Sequence, residues 1–341
     1  MPHMSRRSLL VAATGLAGAG LLPSRFAAAS SPAEQKVAAP ADAQVASPAR
    51  AIPSAYRYKV GDITVTAIAD GLRTIPMPEG FVRNAPREQV NAALETAFLK
   101  PDEVSIPFNV LLLEIGGKRI LVDTGNGPTK GAPNAPVGLL AGTLAQLGIA
   151  PASIDEVVIS HFHADHINGL LNAEGQSAFP NARVRVPQAE WAFWMDESEM
   201  GRAPERLKGV FANAQRVFKP LLPQVETYGW EKELASGLLA VGTPGHTPGH
   251  TSFELSSGDE RLFIQSDVTN IPALFVANPG WHVMFDMDAA AAEQVRRKVY
   301  NRLADERMAV AGYHFPFPGA AHVARAGEGF RYVPVLWNPV P

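Results

Sequence analysis

The tightest constraint on this 341-residue chain is only six residues long: His161-Phe162-His163-Ala164-Asp165-His166, placed directly after the apolar run Val157-Val158-Ile159. At the His and Asp frequencies of the chain, such a His-x-His-x-Asp-His run arises by chance on the order of 10⁻⁴ times. Buried without partners, the imidazoles and the carboxylate would each lose their solvation. One or two divalent cations would satisfy them together. The chain has no cysteine, which excludes thiolate zinc sites, iron-sulfur clusters, disulfide scaffolds and cysteine nucleophiles. Any metal must therefore sit on histidine and carboxylate.

The run does not stand alone. A predicted strand over Leu238–Gly242 leads into Thr243-Pro244-Gly245-His246-Thr247-Pro248-Gly249-His250, one over Arg261–Gln265 into Ser266-Asp267, and one over Arg307–Ala311 into Gly312-Tyr313-His314. Each metal-competent residue lies just past a predicted buried strand, and neighbouring strand ends in one sheet layer converge on one edge. Further strands are predicted over Asp62–Ala69, Phe108–Ile115, Arg119–Val122, Glu156–Ser160, Arg183–Pro187 and Thr251–Leu255, with Gly116-Gly117 turning a hairpin. Apolar residues three and four apart predict helices over Leu139–Leu147, Gln188–Met195 and Asp288–Leu303. The chain reads as mixed α/β, and the absence of a short-period repeat argues against solenoids and propellers.

Residues 1–29 combine Arg6 and Arg7, an apolar stretch from Leu9 to Leu22 and the small-residue end Ala27-Ala28-Ala29, the three-part layout of a cleavable export signal. Ser5-Arg6-Arg7-Ser8-Leu9-Leu10 is similar to a twin-arginine signal, so a periplasmic or secreted protein starting near Ser30 is expected. The apolar stretch is interrupted by Gly15, Gly18 and Gly20 and falls short of the roughly 20 residues a spanning helix needs. No membrane association is expected after cleavage. Residues 30–54 are rich in Ala, Pro and Ser and read as a flexible lead-in; residues 55–341 should form one folded domain. Without Arg6, Arg7 and Arg25 the 30 basic residues fall to 27 against 33 acidic, a balance that gives no footprint for nucleic acid.

In chain order, Asp123 within Leu121-Val122-Asp123-Thr124-Gly125, the histidine run, His246, Asp267 and His314 resemble the metallo-β-lactamase superfamily from about residue 60 to 315. The tail segments His314-Phe315-Pro316-Phe317-Pro318-Gly319 and Gly329-Phe330-Arg331-Tyr332-Val333-Pro334-Val335 resemble its methyl parathion hydrolase branch. The resemblance implies an α/β protein with a four-layer αββα sandwich (metallo-β-lactamase fold) and its metals at one edge. It also implies that His161, His163 and His246 hold one metal, that Asp165, His166 and His314 hold a second, and that Asp267 bridges them. Asp165 and Asp267 count among the catalytic groups, and Asp123 would orient ligands from beneath. The cofactor expectation is two divalent ions, zinc first, with Mn, Fe or Co compatible. His250 is expected to support its loop. Asn168-Gly169 stands where the family commonly has Gly-Gly, and the tolerance of Asn for left-handed angles should preserve the turn.

Two such metals turn water into a bridging hydroxide and polarise the oxygen it attacks, so the reaction class is hydrolysis. Trp191, Phe193 and Trp194 cluster on one predicted helix, with Phe211 and Phe218 following. By resemblance, Trp194 and Phe211 match aromatics lining the leaving-group pocket of the parathion hydrolase branch. The expected substrates are neutral phosphotriesters (organophosphates), aryl esters or lactones. The alternative is an N-acyl-homoserine-lactone-type lactonase or another hydrolase of this fold. A homodimer is compatible with this reading. A true β-lactamase is opposed by the missing cysteine ligand of one subgroup, and nucleic-acid processing by the acidic balance. The non-enzyme alternative, a metal-stabilised binding module, is opposed by the complete ligand set.

Overall fold

The computed structural model describes residues 54–129, 135–336 and 338, so the segment read as an export signal, residues 1–29, and nearly all of the expected lead-in, residues 30–54, lie outside the described residues. Two seven-stranded sheets follow one another along the chain. The first contains β1 (Ala55–Val60), β2 (Ile63–Pro76), β3 (Glu103–Ile115), β4 (Lys118–Val122), β5 (Glu156–Val158), β6 (Arg183–Pro187) and β7 (Val225–Tyr228), in that spatial order. The second contains β8 (Glu233–Ala235), β9 (Leu238–Gly242), β10 (Thr251–Ser257), β11 (Glu260–Ser266), β12 (Ala309–Gly312), β13 (Ala320–Ala326) and β14 (Gly329–Pro334), again neighbour to neighbour. Each sheet is thus the work of one half of the domain.

The apolar strands are buried on both faces, and their side chains alternate between two cores. In β3, Val110 and Leu112 face the helices, whereas Leu111 and Leu113 face the other sheet. In β11, Leu262 and Ile264 point between the sheets while Phe263 points outward. Among the described residues eight α-helices complete the layers: α1 (Arg87–Thr96), α2 (Leu140–Gln146), α3 (Ala164–Ile167), α4 (Gln188–Trp194), α5 (Glu197–Arg202), α6 (Glu205–Phe218), α7 (Pro272–Phe275) and α8 (Ala289–Glu306). Val90 and Leu94 of α1, Leu140 and Leu144 of α2, and Phe211, Val217 and Phe218 of α6 pack with the first sheet. Val299, Tyr300 and Leu303 of α8 cover Phe263 and Val310 on the far side of the second. The result is the αββα sandwich. Among the described residues no helix is long and apolar enough to cross a membrane.

The predicted strands and helices are present with shifted ends. Gly116 and Gly117 take φ of 56° and 81°, the two positive values a tight hairpin turn requires. β5 stops at Val158 because the Ser160 amide turns to the Asp123 carboxylate, 2.8 Å away. Arg307 is not strand but the left-handed cap of α8, with φ of 53°, and β12 begins at Ala309. The strands β4 to β7 run parallel, as do β11 and β12. The segments leaving β4, β5, β9, β11 and β12 carry Asp123, the histidine run, His246, Asp267 and His314.

Candidate metal centre

Three histidine nitrogens meet at one point. His163 Nδ1 lies 3.0 Å from His161 Nε2 and 2.9 Å from His246 Nε2. Alongside, His166 Nε2 and His314 Nε2 each lie 3.5 Å from Asp165 Oδ2. Asp267 spans the two groups: its Oδ2 is 3.0 Å from His314 Nε2 and 3.3 Å from His246 Nε2, and its Oδ1 is 3.3 Å from His166 Nε2. The structure therefore brings all seven sequence candidates together. His163 and Asp165 are partly open to solvent, and the other five are buried.

The lone pairs point inward because the opposite ring nitrogens are occupied. His166 Nδ1 donates to Asp123 Oδ2 at 2.9 Å, and His161 Nδ1 is 3.0 Å from Ser160 Oγ, which itself donates to Asp123 Oδ2 at 2.8 Å. His246 Nδ1 donates to Asp286 Oδ1 at 2.9 Å, and His314 Nδ1 to the Pro107 carbonyl at 2.8 Å. Such outward N–H bonds fix the tautomer and raise the basicity of the inward nitrogen. Asp123 sits beneath the site with φ of 61°, a left-handed geometry that Asp tolerates better than most residues.

The electrostatics ask for a cation. Burial, aided by neighbouring imidazoles, drives His161 well below the ordinary histidine value and His163 down to about 3. Burial would lower His166 too, but the carboxylates of Asp267, Asp165 and Asp123 hold it well above the ordinary value. Burial would raise Asp165, yet His166 and His314 hold it below the usual carboxylate range. His166 Nε2 and Asp267 Oδ1, 3.3 Å apart, are both buried without a hydrogen-bond partner. Without metal the two face each other as imidazolium and carboxylate, and a divalent cation would take the place of the proton between them. Imidazole and carboxylate together fit zinc or another borderline divalent ion.

His250 is excluded from ligation by its own bonds. Its Nδ1 donates to the Thr243 carbonyl at 3.0 Å, and its Nε2 accepts the Asp267 amide at 3.0 Å. It supports the loop and positions Asp267.

Two expectations need correction. Trp194 and Phe211 do not line a substrate pocket: both are 0% exposed and belong to the core beneath the site. Their rings pack on each other at 4.6 Å, and the Trp194 indole donates to Glu190 Oε2 at 2.8 Å. Asn168 takes φ of −64° and ψ of −30°, so the turn needs no left-handed residue there. Its side chain instead accepts from Asn213 at 3.0 Å on α6.

Sequence reasoning missed Glu190, which is fully buried on α4. It accepts the Phe162 amide at 2.9 Å and the Gly249 amide at 2.7 Å, joining the loops that carry His161 and His246. It also missed Asp286. The signal available for Glu190 was a lone carboxylate in the otherwise apolar helix Ala189–Trp194. Beside His314, an apolar cleft of about 620 Å³ is walled by Leu72, Leu99, Ile271, Pro316, Phe330 and Tyr332.

Residues 107–310 match the family described as Metallo-beta-lactamase superfamily. A probable metallo-hydrolase of Mycobacterium bovis is 27% identical over 183 residues, 46% of this chain and 54% of that protein, so the match spans about half of the relative's length. An N-acyl homoserine lactonase of a Bacillus species is 29% identical over 196 residues, 50% of this chain and 68% of that one. Among solved structures, AidC, a dizinc quorum-quenching lactonase in complex with a product, superposes with a TM-score of 0.77 at 27% identity, covering 84% of this chain and 99% of that chain.

Proposed function

The chain belongs to the metallo-β-lactamase superfamily, and on that premise we propose that it is a metal-dependent hydrolase opening lactones of the N-acyl-homoserine type. The observation that carries the reading is the convergence of His161, His163 and His246 beside Asp165, His166 and His314, with Asp267 between them, next to the apolar cleft. Two divalent ions, zinc first, would be held by these two trios. Bound there, they would supply a water acidic enough to act as nucleophile near neutral pH and positive charge for the oxyanion of acyl transfer.

The chain's own groups do the rest. The four inward Nε2 atoms and His163 Nδ1 face the two trios as ligand atoms, and Asp267 reaches both trios through its carboxylate. Asp165, with 24% of its side chain exposed, is the carboxylate open to substrate. It takes the proton of the attacking water as the carbonyl carbon gains its new C–O bond. It returns that proton to the alkoxide when the ring C–O bond breaks. The cleft has the apolar walls and size an acyl chain needs.

Support for aryl leaving groups weakens because Trp194 and Phe211 are sealed in the core. A phosphotriesterase of the methyl parathion hydrolase branch is the second reading, favoured by its tail resemblance: Pro316, Phe330 and Tyr332 of those segments line the cleft. We further propose cleavage of an export signal before Ser30, a flexible segment to residue 54 and the hydrolase domain beyond it; the N-terminal mass of exported protein tests this.

The functional test is one panel on zinc-loaded protein: N-hexanoyl- and N-decanoyl-homoserine lactone, a paraoxon-type triester and nitrocefin. The lactones should give the highest kcat/KM. A triester turned over faster than either lactone would transfer the assignment to the second reading. Bound zinc with no turnover of any substrate would leave the binding module.

A further inference from the structure

A fully buried arginine sits where helix packing calls for an aliphatic residue. Arg296 shares the buried stripe of α8 with Ala292, Val299, Tyr300 and Leu303 and is 1% exposed. Burying a guanidinium is costly unless its donors are met, and here they are. Nε donates to the Val268 carbonyl at 3.0 Å, and Nη1 to the Pro279 and Trp281 carbonyls at 3.1 and 2.8 Å. Nη2 donates to Asp286 Oδ2 at 3.1 Å. The other oxygen of Asp286, a residue itself 0% exposed, accepts His246 Nδ1–H at 2.9 Å.

We propose that Arg296 and Asp286 are a positioning pair that sets His246 and Asp267 in place for metal binding. One guanidinium reaches both ligands, through the Asp286 carboxylate to His246 and through the carbonyl of Val268 to the residue beside it, Asp267. Asp286 pins Nδ1 of His246 as the N–H, which leaves Nε2 as a lone pair aimed at His163 Nδ1 and Asp267 Oδ2, 2.9 and 3.3 Å away. Arg296 gives that buried carboxylate a charge-assisted hydrogen bond. The other ligands are backed differently. His166 rests on Asp123, whose further partner is Ser160, and His314 rests on a neutral carbonyl. His246 is thus the ligand supported through a carboxylate paired with a permanent cation.

The proposal rests on the metal-centre reading, and the experiment separates the two. Zinc affinity is measured by competition with a chromophoric chelator for wild type, Asp286→Ala, Asp286→Asn and Arg296→Lys, with circular dichroism of each metal-free form. Asp286→Ala should weaken zinc binding about 10–100-fold, the effect typical of removing a ligand's outer partner. Asp286→Asn, which keeps an acceptor without the charge, should lie between it and wild type. Arg296→Lys, which cannot span all four acceptors, should also weaken binding. In protein labelled with ¹⁵N-histidine, the protected His246 Nδ1–H resonance should persist in Asp286→Asn and vanish in Asp286→Ala. Should Asp286→Ala fail to fold, Asp286→Asn and Arg296→Lys decide. Wild-type zinc affinity in the folded variants, or an unchanged resonance in Asp286→Ala, would overturn the pair's role. A wild type that binds no zinc would remove the metal-centre reading and this proposal with it.

Discussion

Glu190 shows how much of a metal site is held by residues that no motif marks. Amides of Phe162 and Gly249 and the indole of Trp194 all donate to it. A glutamine can accept on its oxygen only, and its amide nitrogen would face an N–H. Glu190→Gln should therefore cost about 1–3 kcal/mol, read as a lower Tm of the zinc-loaded protein. Burial raises the Glu190 carboxyl above its ordinary value of 4.5, although its hydrogen bonds pull the other way. From 4.5 up to the raised native value the folded state holds a proton that the unfolded state has lost, so this group's contribution to stability falls as pH rises through that window. Urea unfolding across the window should show a flatter pH dependence in Glu190→Gln than in wild type. The seven ligand candidates were legible because four fall within six residues and three follow apolar strands. Glu190, Asp286 and Arg296 acquire their partners only in three dimensions. For Arg296 the trace was a lone cation among Ala292, Val299, Tyr300 and Leu303 at helical spacing.

At the scale of elements, α3 carries Asp165 and His166 and is clamped to the segment after β4. Thr124 donates to the His166 carbonyl from its amide at 2.9 Å and from its hydroxyl at 2.7 Å. The clamp works only because residue 169 has no side chain: a Cβ there would lie 1.8 Å from the Thr124 carbonyl oxygen. Gly169→Ala should force α3 from its seat and lower zinc per chain, measured by elemental analysis after gel filtration, even though no ligand is changed. The doubly buried strands were legible because their apolar runs are continuous. β1 was not, because as an edge strand it places Arg57 and Lys59 among its tyrosines, the charged pattern by which edges resist further pairing. The helix α6 escaped for another reason. Its buried residues Phe211, Ala214, Val217 and Phe218 have helical spacing, but Phe211 stood out in the sequence as an aromatic suited to a pocket.

For the whole molecule, a cation bound only by the native state adds stability by mass action, about 4 kcal/mol when free metal exceeds Kd a thousandfold. Chelation should accordingly lower the Tm by several degrees, and zinc should restore it. A Tm indifferent to chelator would contradict ligation by seven buried or half-buried groups. The division of the two sheets between the two halves of the domain gives this linkage a further meaning. His161, His163, Asp165 and His166 belong to the half that builds the first sheet, and His246, Asp267 and His314 to the half that builds the second. Neither trio is complete in one half. The chain passes between them at the exposed residues Gly229 to Lys232. Cut there, the protein becomes two polypeptides whose shared cation acts as a rivet. Co-expressed fragments should co-purify in zinc and come apart more readily in chelator, so that the metal reports on reassembly as well as on chemistry.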